Sequence, residues 1–133
     1  MTSYLKKDVN KMQKIKIMLA SRPKMISDVI RSLIEHQPDM TMIGEVIDPI
    51  RLLYAIKVTP VDVVIITPLK GNGEPKLCSH LLAQYPQLKI LTLSAEGGIA
   101  YLYQSGTAKL IINEPTEKLI MENIRKSLGK IIG

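Results

Sequence analysis

The chain has 133 residues, 46% hydrophobic and 23% charged, with 18 Lys and Arg against 12 Asp and Glu. That is one domain's length with an ordinary globular composition, and no apolar run approaches the roughly 20 residues that span a bilayer, which argues against disorder and against a membrane partner. A formal charge of +6 invites a nucleic-acid partner, but the lysines are scattered apart from Lys6, Lys7, Lys11, Lys14 and Lys16, and with no Trp, no Phe and five Tyr there is little for bases to stack on.

Met1 to Gln13 is polar and basic and lacks the apolar core of a signal peptide, so residues 1–13 read as a flexible leader, 14–133 as the domain, and the compartment as cytoplasmic. Lys14 to Ala20 alternates and then turns wholly apolar, the pattern of a strand entering a sheet, and Ser21-Arg22-Pro23 ends it. A first helix is predicted over Lys24 to His36, with Met25, Ile26, Val29, Ile30, Leu33 and Ile34 at helical spacing. Met40 to Val46 is a second strand, with Gly44 permitting a close turn or bulge. Asp48 and Pro49 open a second helix that faces Ile50, Leu52, Leu53 and Ile56 inward.

Val61 to Ile66 is almost entirely apolar and β-branched, the signature of a central strand buried on both faces; it ends at Thr67 and breaks into a loop holding Pro68, Gly71, Gly73 and Pro75. A third helix follows from Pro75 to Gln84, burying Leu77, Leu81 and Leu82, then a strand from Leu88 to Leu93. A short fourth helix is expected over Ile99 to Ser105, capped by Gly106. Lys109 to Ile112 is read as a fifth strand, and Thr116 caps a fifth helix with Leu119, Ile120, Ile124, Leu128 and Ile131 on one face. Five strand–helix alternations with short connections predict a doubly wound α/β domain, a parallel five-stranded sheet in the order 2-1-3-4-5.

In that register the segments IMLA, EHQPDMTMIGEVID, VDVVIIT, YPQLKILTLSA and SGTAKLIIN, spread over Lys14 to Ile132, resemble a response-regulator receiver domain of the CheY-like type, closest to the NarL group. The resemblance implies a two-component signalling role. Receivers accept a phosphoryl group on an aspartate ending the third strand, hold Mg²⁺ with acidic residues after the first strand, and contact the phosphoryl oxygens through a Thr or Ser and a Lys. Carried over by position, the acidic pair falls on Ser21 and Arg22, the acceptor on Thr67, the hydroxyl on Ser94, the lysine on Asn113 and the aromatic switch on Leu110. Only Ser94 matches. A pocket with no carboxylate and one guanidinium has nothing to hold a hard cation, and Thr67 lacks an anionic acceptor. The resemblance is therefore to a degenerate receiver, non-enzymatic, with no metal or cofactor expected.

Other chemistry is thin. Arg22, Thr67, Ser94 and Asn113 could converge on a small anion, or simply satisfy loop backbone groups. Cys78, the only cysteine, excludes an internal disulfide and fits a reducing compartment; it lies two residues from His80, so the pair points to different helix faces. Gly71-Asn72-Gly73 lacks the phosphate-loop pattern and reads as a turn. Tyr101, Leu102 and Tyr103 crowd the fourth predicted helix, and by the receiver resemblance the surface of helix 4, strand 5 and helix 5 is a dimer or partner face. The expectation is a phosphorylation-independent signalling module that binds a protein partner, itself included. The alternatives are the regulatory half of a NarL-type transcription factor, or a small-ligand sensor using the altered pocket.

Overall fold

A five-residue link joins two neighbouring strands late in the chain, and that link decides the architecture. The computed structural model describes residues 14–21, 24–47, 51–67, 75–94 and 98–129. Their elements are β1 (Ile15–Ser21), α1 (Lys24–Glu35), β2 (Met40–Val46), α2 (Leu52–Val58), β3 (Val63–Thr67), α3 (Pro75–Gln84), β4 (Lys89–Leu93), β5 (Ile99–Gln104), β6 (Leu110–Asn113) and α4 (Glu117–Ser127). They form an α/β fold whose six-stranded sheet runs β2-β1-β3-β4-β5-β6. The first four strands in that order pair in parallel, whereas β5 is antiparallel to both β4 and β6.

The parallel half arises as its sequence predicts. In β3 all five residues are buried, because alternate side chains feed two separate cores. Val63 and Ile65 join a cluster with Ile30 and Ile34 of α1 and Met121 and Ile124 of α4. Val64 and Ile66 face the other way, onto Leu52 and Ile56 of α2 and Cys78 and Leu81 of α3. Each fully buried Ile or Leu stabilises the fold by roughly 1.5–3 kcal/mol relative to leaving it in water. The bulge expected near Gly44 is present: Ile17 pairs with Met42 but Met18 with Gly44, skipping Ile43. A Cβ on Gly44 would come within 3.0 Å of Met18 Cε, so its absence lets that thioether lie against the strand.

The other half departs from expectation. The fourth helix predicted over Ile99 to Ser105 is the strand β5, and the sheet is six-stranded and mixed, not five-stranded and parallel. The alternation was in the sequence: Ala100 and Leu102 are buried, while Ile99, Tyr101 and Tyr103 are half-buried on the opposite face. Ile and Tyr are strand formers, and the seven residues between Gly98 and Gly106 are few for a helix. Residues 94–98 and 105–109 are too few for a parallel crossover, which needs a dozen or more, so the chain can only turn back on itself. Gly106, expected to cap a helix, instead supplies a positive φ of 82° in the β5–β6 turn.

Smaller differences follow from packing. Val29 and Leu119, placed inward by periodicity, are 59% and 38% exposed, while Leu52 is fully buried. Thr116 caps α4 as predicted, its Oγ1 accepting from the Leu119 N–H at 3.1 Å. The C-terminal end of α4 is pinned to the α1–β2 connection by Arg125, whose guanidinium donates to both carboxylate oxygens of Asp39 at 2.7 and 2.8 Å and to Gln37 Oε1 at 2.7 Å. Arg31 of α1 pairs with Glu45 of β2 and with Asp28. Among the described residues, no helix is long and apolar enough to cross a membrane. Residues 1–13, Arg22, Asp48, Pro49, Ile50 and Gly71 to Gly73 lie outside the described residues.

Candidate functional site

In open α/β sheets the carboxyl ends of the parallel strands form the working edge. Here β1 ends at Ser21 and β3 at Thr67, which are direct partners in the register, and Ser94 follows β4. Thr67 is buried, 3% exposed. Ser94 is engaged in closing the β4–β5 link: its N–H donates to the Ile99 carbonyl at 2.9 Å, and its Oγ accepts the Ile99 N–H at 3.2 Å. Asn113 stands elsewhere. The extra strand β5 separates β6 from β4, so Asn113 is three strand spacings from Thr67, about 14 Å, instead of two. Of the five pocket positions, the structure therefore brings Ser21 and Thr67 together with Ser94 near them, holds Asn113 away, and Arg22 lies outside the described residues. Among the described residues no three His, Cys, Asp or Glu side chains come close enough to share a metal ion.

The aromatic cluster is rearranged too. Leu102 is 2% exposed and belongs to the core beneath α1 and α4. Tyr101 and Tyr103 lie on the opposite face of β5, their ring centroids 6.4 Å apart and tilted by 44°. Lys109 caps them, its Nζ 4.8 Å from the Tyr101 ring centre and 6.0 Å from that of Tyr103. Burial raises the Tyr103 phenol above its ordinary range, and the Cys78 and Tyr101 charges add to the rise; the smallest influence, the neighbouring Thr92 hydroxyl, acts the other way. This is a face of aromatic and aliphatic groups under one cation.

Beside it runs the edge strand β6. Leu110, the switch position by resemblance, is 44% exposed, and Ile111 is 52% exposed. The predicted order 2-1-3-4-5 already ends on this strand, and the receiver resemblance counts it in a partner face. The available signal was its position as the last strand of an open sheet, where apolar residues have no further neighbour. Two shallow hollows of about 380 and 500 Å³ lie between α1 and α4, lined by Leu33, Gln37, Glu117 and their neighbours. They open on the face away from the tyrosines, and their rim mixes acidic and basic groups. No protein-family model matches the chain, and a comparison with curated proteins finds no match either. The family resemblance therefore rests on the sequence segments alone, and the architecture is an α/β domain with a mixed sheet that begins 2-1-3-4.

Proposed function

We propose that this chain is a non-enzymatic signal-transduction module, a receiver-like domain that acts by binding protein and takes part in no phosphoryl transfer. The observation that carries the reading is Thr67: at the end of the central strand, where a receiver presents its acceptor carboxylate, the chain buries a neutral hydroxyl with 3% exposure. A buried, uncharged alcohol offers neither the anion that takes up a phosphoryl group nor the carboxylate charge with which receivers hold Mg²⁺. The added strand β5 supports the same reading, because it moves Asn113 a strand further from the acceptor position. What remains for function is surface: Leu110 and Ile111 of β6 are exposed beside the half-buried Tyr101 and Tyr103 of β5, and Ile47, Tyr54 and Val58 are exposed on and before α2.

Two measurements test it on the full chain. Incubation with acetyl phosphate and Mg²⁺ is expected to leave the intact mass unchanged; gain of one phosphoryl group overturns the reading. Affinity capture from native extract, with partners identified by mass spectrometry, is expected to return a protein that then binds the purified chain at fixed stoichiometry in a calorimeter. A small molecule that titrates into the carboxyl edge, with no protein partner, would replace the binding-module reading by the ligand-sensor one.

A further inference from the structure

The two edges of this sheet are treated differently. The β2 edge is broken by the bulge at Ile43 and carries Glu45, which is held by Arg31. Bulges and charges are the devices by which edge strands are kept from pairing with other chains. The β6 edge, Leu110-Ile111-Ile112-Asn113, has no charge, no proline and no bulge. Its one protection is its shortness.

The direction of its free backbone groups follows from the ladder. Glu114 N–H donates to the Gly98 carbonyl, and the register pairs Ile112 with Ala100 and Leu110 with Leu102. In an antiparallel pair the bonded positions alternate, so Leu110, Ile112 and Glu114 spend their backbone groups on β5, whereas those of Ile111 and Asn113 point outward. Two such edges can meet about a two-fold axis perpendicular to the sheet, which keeps each face on its own side and therefore pairs residues of the same parity. Centring the axis on Ile111 sets Ile111 against its own copy, with reciprocal N–H to carbonyl bonds, and Lys109 against Asn113.

The side chains suit that register. On the tyrosine face the row becomes Tyr101, Ile111, then Ile111 and Tyr101 of the second copy, since Tyr101 and Ile111 are direct partners in the sheet. On the helix face Leu110 meets Ile112, extending the core cluster that already contains Ile112 and Leu102. The charges agree as well. The two Lys109 residues stand four residues apart along the strand, about 13 Å, beyond the roughly 8 Å screening length at physiological salt. The register centred on Ile112 instead places Leu110 against Glu114 and Ile111 against Asn113, apolar against polar.

We propose that the chain forms a symmetric dimer by pairing β6 with β6 of a second copy, making one continuous sheet of the two. This names a partner within the binding-module reading and rests on it. With four residues a side the interface is at the small end of stable ones, so the association belongs in the micromolar range, roughly 10–100 µM.

Sedimentation equilibrium of the full chain over roughly 10 µM to 1 mM is expected to show monomer passing to dimer. Ile111→Pro removes an outward-pointing N–H without touching the β5–β6 ladder, and Ile111→Lys sets two ammonium groups at the axis; each is expected to weaken association at least about tenfold. Circular dichroism checks that both remain folded. Cross-linking keeps the register testable even where a variant is destabilised. In a Cys78→Ser background, Ile111→Cys is expected to oxidise to a disulfide-linked dimer, its Cα atoms being about 5.5 Å apart across the axis. Asn113→Cys, displaced from its own copy by four residues, is expected to stay monomeric under the same conditions. A chain monomeric throughout the concentration range, a dimer indifferent to Ile111→Pro, or equal cross-linking at the two positions overturns the pairing. The binding-module reading then stands or falls separately on the phosphoryl and capture experiments.

Discussion

Placing an acidic side chain at the end of the central strand is the most direct challenge to the proposed reading of this edge. Thr67 is 3% exposed, so Thr67→Asp places a carboxyl where water scarcely reaches. Desolvation raises a carboxyl's pKa by up to 3–5 units in full burial, and about 2–4 units at about 1.4 kcal/mol each gives a penalty of roughly 3–5 kcal/mol at neutral pH. Against a total stability of 5–15 kcal/mol, that lowers the thermal midpoint by roughly 10–20 °C. The sign follows from linkage. The unfolded carboxyl titrates near pH 3.9 and the folded one higher, so the penalty is absent in acid, grows as pH rises between the two values, and is constant above the folded pKa. Thr67→Asn has the same volume without the charge, so the Asp–Asn difference in thermal midpoint, followed from about pH 4 to pH 8, isolates the term. An Asp variant as stable as the Asn variant at neutral pH refutes the reasoning, because something at the edge would then be stabilising a carboxylate. A rise in the Asp variant's midpoint on adding Mg²⁺ refutes it more specifically: the edge would still hold a cation.

Three further outcomes are expected. Arg125→Ala removes a guanidinium whose side chain is 16% exposed and which makes three charge-assisted bonds to Asp39 and Gln37; urea unfolding is expected to show a loss of about 1.5–3 kcal/mol, and Arg125→Lys to recover only part of it because the planar fork is gone. Burial raises the Tyr103 phenol above 10.0, so the unfolded chain loses that proton first and stability falls as pH climbs through the window above pH 10; Tyr103→Phe is expected to show a shallower decline in thermal midpoint over the same range. Thr116→Ala deletes the hydroxyl that accepts the Leu119 N–H, and is expected to cost about 1 kcal/mol, read from the same urea curves.

How much of the molecule could be read before its structure depended on whether neighbours in the chain were also neighbours in the sheet. The elements Lys24–Glu35, Met40–Val46 and Pro75–Gln84 match the predicted helix, strand and helix at or within one residue, because periodicity and the Gln37-Pro38-Asp39 stop are local signals. The same logic failed at Val29, which has helical spacing but 59% exposure: a period identifies a face, and only the neighbouring elements decide how much of that face is covered. At Ile99–Gln104 the apolar and aromatic residues fit either a short helix or an alternating strand, and Gly106, with its positive φ, suits a helix cap as well as the β5–β6 turn it makes. The pocket positions show the same limit. Thr67 at the end of a buried strand was legible, since an uninterrupted β-branched run must stop somewhere polar. The place of Asn113 was not, since it depends on how many strands lie between.

By itself, then, the order of residues determined the parallel core: β-branched runs buried on both faces, separated by amphipathic helices long enough to cross back, leave no other economical packing. It also determined that the central strand ends on a neutral hydroxyl, since Thr67 is not a carboxylate in any fold. Tertiary structure alone decided the mixed half, because two five-residue links cannot carry parallel crossovers and a strand must reverse there. In reversing, β5 turned Tyr101 and Tyr103 to one face and Leu102 to the other, and left Ile111 on an edge. Its outward backbone groups have direction only once the ladder on the other side of the strand is formed.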